Sequence, residues 1–238
     1  MLWSNSFHEA RELFVKAFRQ DPQYGNAYAM AAWTLAAQQA VGGVLLSAEM
    51  RAEALRLADV GSRLANDDAL AQARRGHTLT YLGREFNRGT SLVDQAVVLN
   101  PNLAVAWLSR GWVAAMSCEV ETAIESFNQM IRLSPLEPNR FGAWVGMAFA
   151  HFIQARHEEG RASALKAVNV RPNALNLGAY IINSVGGGWV NEAREAGTQL
   201  RTLYPTFRAS QSEYAFPVRL PEVRNRMTAA LCEAGVPE

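Results

Sequence analysis

Five prolines constrain this chain more than any other feature. Pro22, Pro101, Pro135, Pro172 and Pro205 each close a stretch of helical periodicity, and the steps from Pro101 to Pro135, Pro135 to Pro172 and Pro172 to Pro205 are 34, 37 and 33 residues. Proline cannot continue a helix, because its ring removes an N–H and clashes with the preceding turn. A stop that recurs at this interval means stacked units of one size, each too small to bury its own apolar face. At 238 residues and 49% hydrophobic composition the chain has the apolar content to stack them, and too much for disorder.

The unit is clearest over 104–135. Trp107, Gly111 and Ala114 fall at i, i+4 and i+7, on one face of a first helix. Ala123, Phe127 and Met130 repeat that spacing in a second helix, which Pro135 stops, and the polar Ser-Cys-Glu-Val-Glu of 117–121 turns the chain between them. The small Gly111 and Ala123 are expected to let the two backbones approach, with Trp107 and Phe127 filling the space beside them. This order of Trp, Gly, Ala, Phe and Pro resembles the tetratricopeptide repeat (TPR), a helical hairpin of about 34 residues. The resemblance implies an all-α fold, a right-handed α-solenoid of helical hairpins with a C-terminal capping helix.

On this reading the array occupies 1–204, as a half repeat at 7–22 and full units at 25–66, 69–101, 104–135, 141–172 and 175–205. The half repeat has Ala10, Phe14 and Ala17 at second-helix spacing but no first helix before it. Phe14 and Phe18 therefore need a cover, and a homodimer through this half repeat would supply one. The 25–66 unit packs through Tyr28, Ala31, Ala32 and Leu35, then Ala54, Ala58 and Gly61, and carries an insertion around 41–47. Asn66-Asp67-Asp68 takes the place of the proline turn, with either aspartate suited to cap the next helix. Gly186 to Gly188 reads as a flexible turn inside the last unit. Residues 206–238 form a second region: 206–220 has no helical period and should run extended over the surface. Pro221 then opens a final helix with Val223, Met227 and Leu231 on one face, and Glu222, Arg224, Arg226 and Glu233 give it the polar outer face of a cap.

The composition excludes several classes of function. A formal charge of +1 with only two lysines offers no electrostatic footprint for nucleic acid or for an anionic membrane. The apolar run 27–46 is interrupted by Gln38, Gln39, Gly42 and Gly43, which argues against a membrane span. Cys118 and Cys232 lie far apart without metal-ligand spacing, and no secretory signal opens the sequence, so a reducing, cytoplasmic setting is expected. His151 and His157 are six residues apart and share no helix face, the glycine triplet lacks the Lys and Ser/Thr of a phosphate loop, and no serine sits in GxSxG. Cys118 has no nearby cation in the sequence to activate it. No catalytic residue, cofactor or metal site is expected, and the chain reads as a non-enzyme.

What remains is recognition of a protein or peptide segment. In a TPR array the first helices line the concave face, and the stripe there is His77, Tyr81, Leu108, Trp112, Val145, Phe149 and Phe152. The stripe is aromatic and aliphatic rather than cationic, which predicts a hydrophobic groove for an apolar or amphipathic segment. The chain's own 207–220, with Tyr214 and Phe216, is one such segment. The alternative is that a tightly coiled array buries these side chains between neighbouring units.

A narrower resemblance lies in Asp-Asp-Ala-Leu-Ala-Gln-Ala-Arg-Arg-Gly (67–76), Leu-Asn-Pro-Asn-Leu-Ala-Val-Ala-Trp (99–107), Thr-Leu-Tyr-Pro-Thr-Phe (202–207), Phe-Pro (216–217) and the sequence from Met227 to Glu238. Together they resemble the C-terminal TPR region of bacterial class III adenylate/guanylate cyclases. The resemblance implies a cyclase context without a cyclase domain: a non-catalytic regulatory scaffold. TPR regions of similar appearance also follow winged-helix transcription regulators, which is the alternative context.

Overall fold

The computed structural model describes residues 2–42, 45–137 and 140–238. Among them are thirteen α-helices and no strand: α1 (Leu2–Gln20), α2 (Gly25–Gly42), α3 (Ala48–Leu64), α4 (Ala69–Gly83), α5 (Phe86–Leu99), α6 (Ala104–Met116), α7 (Val120–Leu133), α8 (Phe141–Ile153), α9 (His157–Val170), α10 (Ala174–Gly186), α11 (Val190–Leu203), the one-turn α12 (Ser212–Ala215) and α13 (Pro221–Glu233). From α2 to α11 they pair as five antiparallel hairpins, each stacked on the next. The first helices α2, α4, α6, α8 and α10 touch one another in series and form the inner row. The row curls until α10 meets α2.

Two signals set the repeat. Helices α1, α5, α7, α9 and α11 all end two residues before Pro22, Pro101, Pro135, Pro172 and Pro205. Where the proline is absent, after α3, Asp68 caps α4 by accepting the Ala71 N–H at 3.0 Å. The second signal lies inside the hairpins. Arg84, Cys118, Ala155 and Gly188 turn the chain with φ of 59°, 67°, 57° and 86°, and their numbers differ by 34, 37 and 33, the same steps as the prolines. Only Gly188 advertises this left-handed conformation in the sequence, because it alone lacks the Cβ that makes it costly.

Glycine shapes the stack in two ways. Gly61 lets α3 approach the backbone of α2: a Cβ there would lie 2.7 Å from both the Ala29 nitrogen and the Gly25 oxygen. Gly111 works differently from the expected backbone approach to Ala123. A Cβ on it would lie 2.6 Å from the Phe127 ring, and one on Gly146 would strike the same ring from α8. Phe127, wholly buried, is thus seated between two helices that each surrender a side chain to it.

Two expectations are corrected. The half repeat is not left wet: Phe18 stacks on Tyr28 with ring centres 4.1 Å apart, and Phe14 and Phe18 pack on the cluster of Ala31, Ala32, Leu57 and Ala58. Among the described side chains of α1, Leu13 is an apolar one left in solvent, at 68% exposed. Residues 206–220 do not run extended over the surface. They make a 3-10 turn at Ala209–Gln211 and the single turn of α12, and they bury Phe207, Ala209, Phe216 and Val218. The segment shows no period because each side chain is fitted to its own spot on a curved wall rather than to one helix face. Helix α13 begins at Pro221 as expected and buries Val223, Met227, Ala230 and Leu231.

Candidate functional site: the inner face and its covering segment

The inner row turns its C-terminal ends and its aromatic stripe toward residues 207–220, and that segment lies across them. Phe216 is 1% exposed; its ring stacks on Phe149 at 3.8 Å and 16°, and stands edge-on to Trp112 at 5.9 Å. Such aromatic pairs add about 0.5–1.5 kcal/mol each beyond the area they bury. Tyr214 lies between two guanidinium groups, Arg51 at 5.6 Å and Arg84 at 5.8 Å from its ring centre.

Main-chain bonds fix the register of the segment. Gln39 Nε2 donates to the Tyr214 carbonyl at 3.2 Å, Tyr81 Oη to the Ala215 carbonyl at 3.3 Å, and Arg84 to the Glu213 carbonyl at 2.8 Å. In the reverse sense, the Arg219 N–H donates to Met116 O, one of the carbonyls left open where α6 ends, at 2.8 Å. Arg226 of α13 reaches the end of α8 in the same way, donating to Phe152 O at 3.0 Å with its guanidinium 4.7 Å from the Phe152 ring centre. A cation at a helix C-terminus also meets the negative end of the helix dipole. The segment and α13 together therefore satisfy carbonyls that the array alone would leave unpaired.

The predicted stripe is divided between this contact and a cavity. Phe149 and Trp112 meet Phe216, and Phe152 meets Arg226 and His157. His77, Tyr81, Leu108, Trp112 and Val145 line a half-open cavity of about 290 Å³ inside the curl of the inner row, with Phe7, Glu137, Arg171 and Ala215 also on its wall. Tyr81, Val145, Phe149 and Phe152 are buried, while His77, Leu108 and Trp112 are half-buried on the side of the cavity.

The cavity contains a group that the sequence reading passed over. Arg74 is 6% exposed, and its guanidinium sits 3.8 Å from the ring centre of Trp33. Burial pushes its pKa down to about 9, which still leaves it charged at neutral pH. Arg75, the next residue, is rotated about 100° around the helix and bonds Asp59 and Ser62 between units instead. The Arg-Arg pair was the available signal: two cations in succession on a packed helix cannot both face the interface. Burial, then the Arg74 charge, push His77 down to about 3, so its imidazole is neutral. Burial likewise raises the Tyr81 phenol well above the usual range.

Cys118 lies beneath the segment, where burial raises its thiol above the ordinary range although the Leu220 and Arg219 N–H groups bond it. Among the described residues no group of three or more His, Cys, Asp or Glu side chains could hold a metal, and no helix is long and apolar enough to cross a membrane.

No family model matches the chain, and no curated protein matches it by sequence. Solved structures do. The chain is similar to one from the APC/C hetero-tetramer Cut9-Hcn1, at 16% identity and a TM-score of 0.67 over 95% of this chain, which spans 40% of that one. It is also similar to PilW, described as a widely conserved type IV pilus biogenesis factor, at 16% identity and a TM-score of 0.60, covering 86% of this chain and 89% of that one. A third is a thermophilic TPR protein of Thermus thermophilus, at 15% identity and a TM-score of 0.57, covering 77% and 92%. At such identities the likeness is one of fold, and the fold is the all-α TPR solenoid.

Proposed function

We propose that this chain is a non-catalytic interaction scaffold whose inner face receives an extended apolar segment, and that its own residues 207–220 represent the chemistry it takes. One observation carries the reading: Phe216 is stacked on Phe149 and edge-on to Trp112, inside an array that also offers main-chain partners to the same segment. Main-chain bonds give affinity for an extended peptide and pockets for its side chains give selectivity. A partner segment with an aromatic residue at the Phe216 position would compete for the same place, so that the covered state holds the scaffold closed to others.

The test is a peptide in trans. A fluorescent peptide of residues 207–220 should bind a Phe216→Asp chain saturably, as read by anisotropy, and bind the parent chain far more weakly. Adding Phe149→Ser to Phe216→Asp should remove that binding. No binding to a Phe216→Asp chain with native helical circular dichroism would overturn the reading.

The wider context we propose is the regulatory TPR region of an adenylate/guanylate cyclase-like protein, acting in the cytoplasm. Its support is the resemblance over 67–76, 99–107 and 202–207. Cyclase coding sequence contiguous with and upstream of this chain would agree with it. Winged-helix coding sequence there would place the scaffold in a transcription regulator instead.

A further inference from the structure

We infer that the half-open cavity within the curl of the array is a binding site for a small apolar monocarboxylate, with Arg74 as the residue that receives the carboxylate. This goes beyond the scaffold reading and does not depend on it. The first support is the state of Arg74. It is only 6% exposed, its Nε has no hydrogen-bond partner, and among the described residues no carboxylate is ion-paired with it. The Trp33 face at 3.8 Å offsets part of the cost of burying that charge. A buried cation without an anion is nonetheless one of the most destabilising arrangements a protein can keep, and replacing it by an apolar side chain would be easy.

The second support is the cavity that Arg74 lines. Its volume of about 290 Å³ is near the lower end of ligand pockets, which run to roughly 300–1,000 Å³ and join mostly apolar walls to a few convergent polar groups. The walls here are Trp33, Ala37, Leu108, Trp112 and Val145. Among the described lining residues Arg74, Arg171 and Glu137 are charged and His77 is neutral; Arg171 and Glu137 have partners of their own, whereas Arg74 makes no ion pair with a described carboxylate. The single cation of Arg74 and aromatic and aliphatic walls around it suit a monoanion with an apolar body. A guanidinium binds a carboxylate through paired N–H donors, and the neutral His77 ring can donate one more. Ala215 belongs to the wall, so the ligand is held while the 207–220 segment is in place.

Decanoate, below its micellar concentration, is the probe, with 1-decanol as its uncharged match. Trp33 and Trp112 line the cavity and supply a fluorescence signal, with calorimetry giving the stoichiometry. Decanoate should bind one per chain, ~10- to 100-fold more tightly than decanol, the range expected when a charge-assisted bond is lost. Arg74→Met should bring decanoate down to the level of decanol and raise the melting temperature of the ligand-free chain, since it removes a buried unpaired charge. Arg74→Lys should retain part of the preference. Absence of decanoate binding, equal affinity for acid and alcohol, or an Arg74→Met chain that binds decanoate as the parent does would each overturn the inference. If Arg74→Met fails to fold, the acid-to-alcohol ratio on the parent chain decides alone. The outcome for the 207–220 peptide bears on neither result.

Discussion

Replacing Gly146 by alanine should destabilise this protein, although the same change in an exposed helix stabilises it. Glycine inside a helix ordinarily costs about 0.5–1 kcal/mol relative to alanine. At Gly146, however, the new Cβ would lie 2.6 Å from Phe127 Cε2 and closer still to Cζ, where ordinary contact begins near 3.4 Å. The ring cannot retreat, because Phe127 is wholly buried and a Cβ at Gly111 would already stand 2.6 Å from its other side. Overpacking of this kind costs about 1–3 kcal/mol, and a rigid ring wedged between two backbones belongs at the upper end. After subtracting the helix gain, the net loss is about 2 kcal/mol, or roughly 4–8 °C in melting temperature for a chain of this size. Phe127→Leu should also destabilise, through lost packing and the lost edge-on contact with Trp112 at 6.0 Å. The two together should cost less than their sum by at least about 1 kcal/mol, because the smaller side chain vacates the space that the new methyl needs. Urea midpoints followed by circular dichroism on the four chains close the cycle. A stabilised Gly146→Ala, or strict additivity, would refute the packing account.

Ala155 sits at φ 57° between α8 and α9. Ala155→Gly should therefore stabilise by about 0.5–1 kcal/mol, read as a raised melting temperature, while an unchanged or lowered one would count against strain there. The folded-state pKa of His77, about 3, lies below its ordinary 6.5. The unfolded chain therefore binds the proton more readily, and the stability from this group is full above about pH 6.5 and lost as pH falls toward 3. His77→Leu should lose less stability than the parent between those pH values, and parallel urea-midpoint profiles would contradict the assignment. Helix α1 rests on the array from one side only and should exchange its amide hydrogens faster than α7; equal protection would show the end of the stack to be as firm as its middle.

Much of the fold was legible because its punctuation is chemical. Proline cannot sit inside a helix, so the five prolines marked the ends of second helices to within two residues. The left-handed turns inside the hairpins were hidden, because Arg84, Cys118 and Ala155 adopt at a cost what Gly188 adopts freely. The inner stripe was found by counting along helices, which places a side chain on a face but cannot say what covers that face. Tyr214 and Phe216 made 207–220 a candidate occupant, but with no period the segment gave no sign of how it is seated and was expected to run extended over the surface. Its anchoring depends on backbone groups such as Met116 O and the Arg219 N–H, which every residue possesses and no sequence displays. Arg74 was missed for the opposite reason: a charge on an array helix reads as solvated unless the curl of the whole inner row, with α10 closing on α2, is known.

The most direct test of the covered inner face is the reactivity of Cys118, which lies under Arg219 and Leu220. In a Cys232→Ser background, which removes the exposed thiol, Cys118 should react slowly with a thiol-specific reagent under native conditions. Phe216→Asp places a charge in a pocket built for an aromatic ring and should free the segment. Labelling of Cys118 should then accelerate by at least ~10-fold, corresponding to about 1.4 kcal/mol or more of lost docking energy, while the helical signal and the array's melting stay close to the parent's. The account would be contradicted if Cys118 labelling were unchanged, or rose only as the whole array unfolded, for then 207–220 would be either unconnected to this face or inseparable from the core.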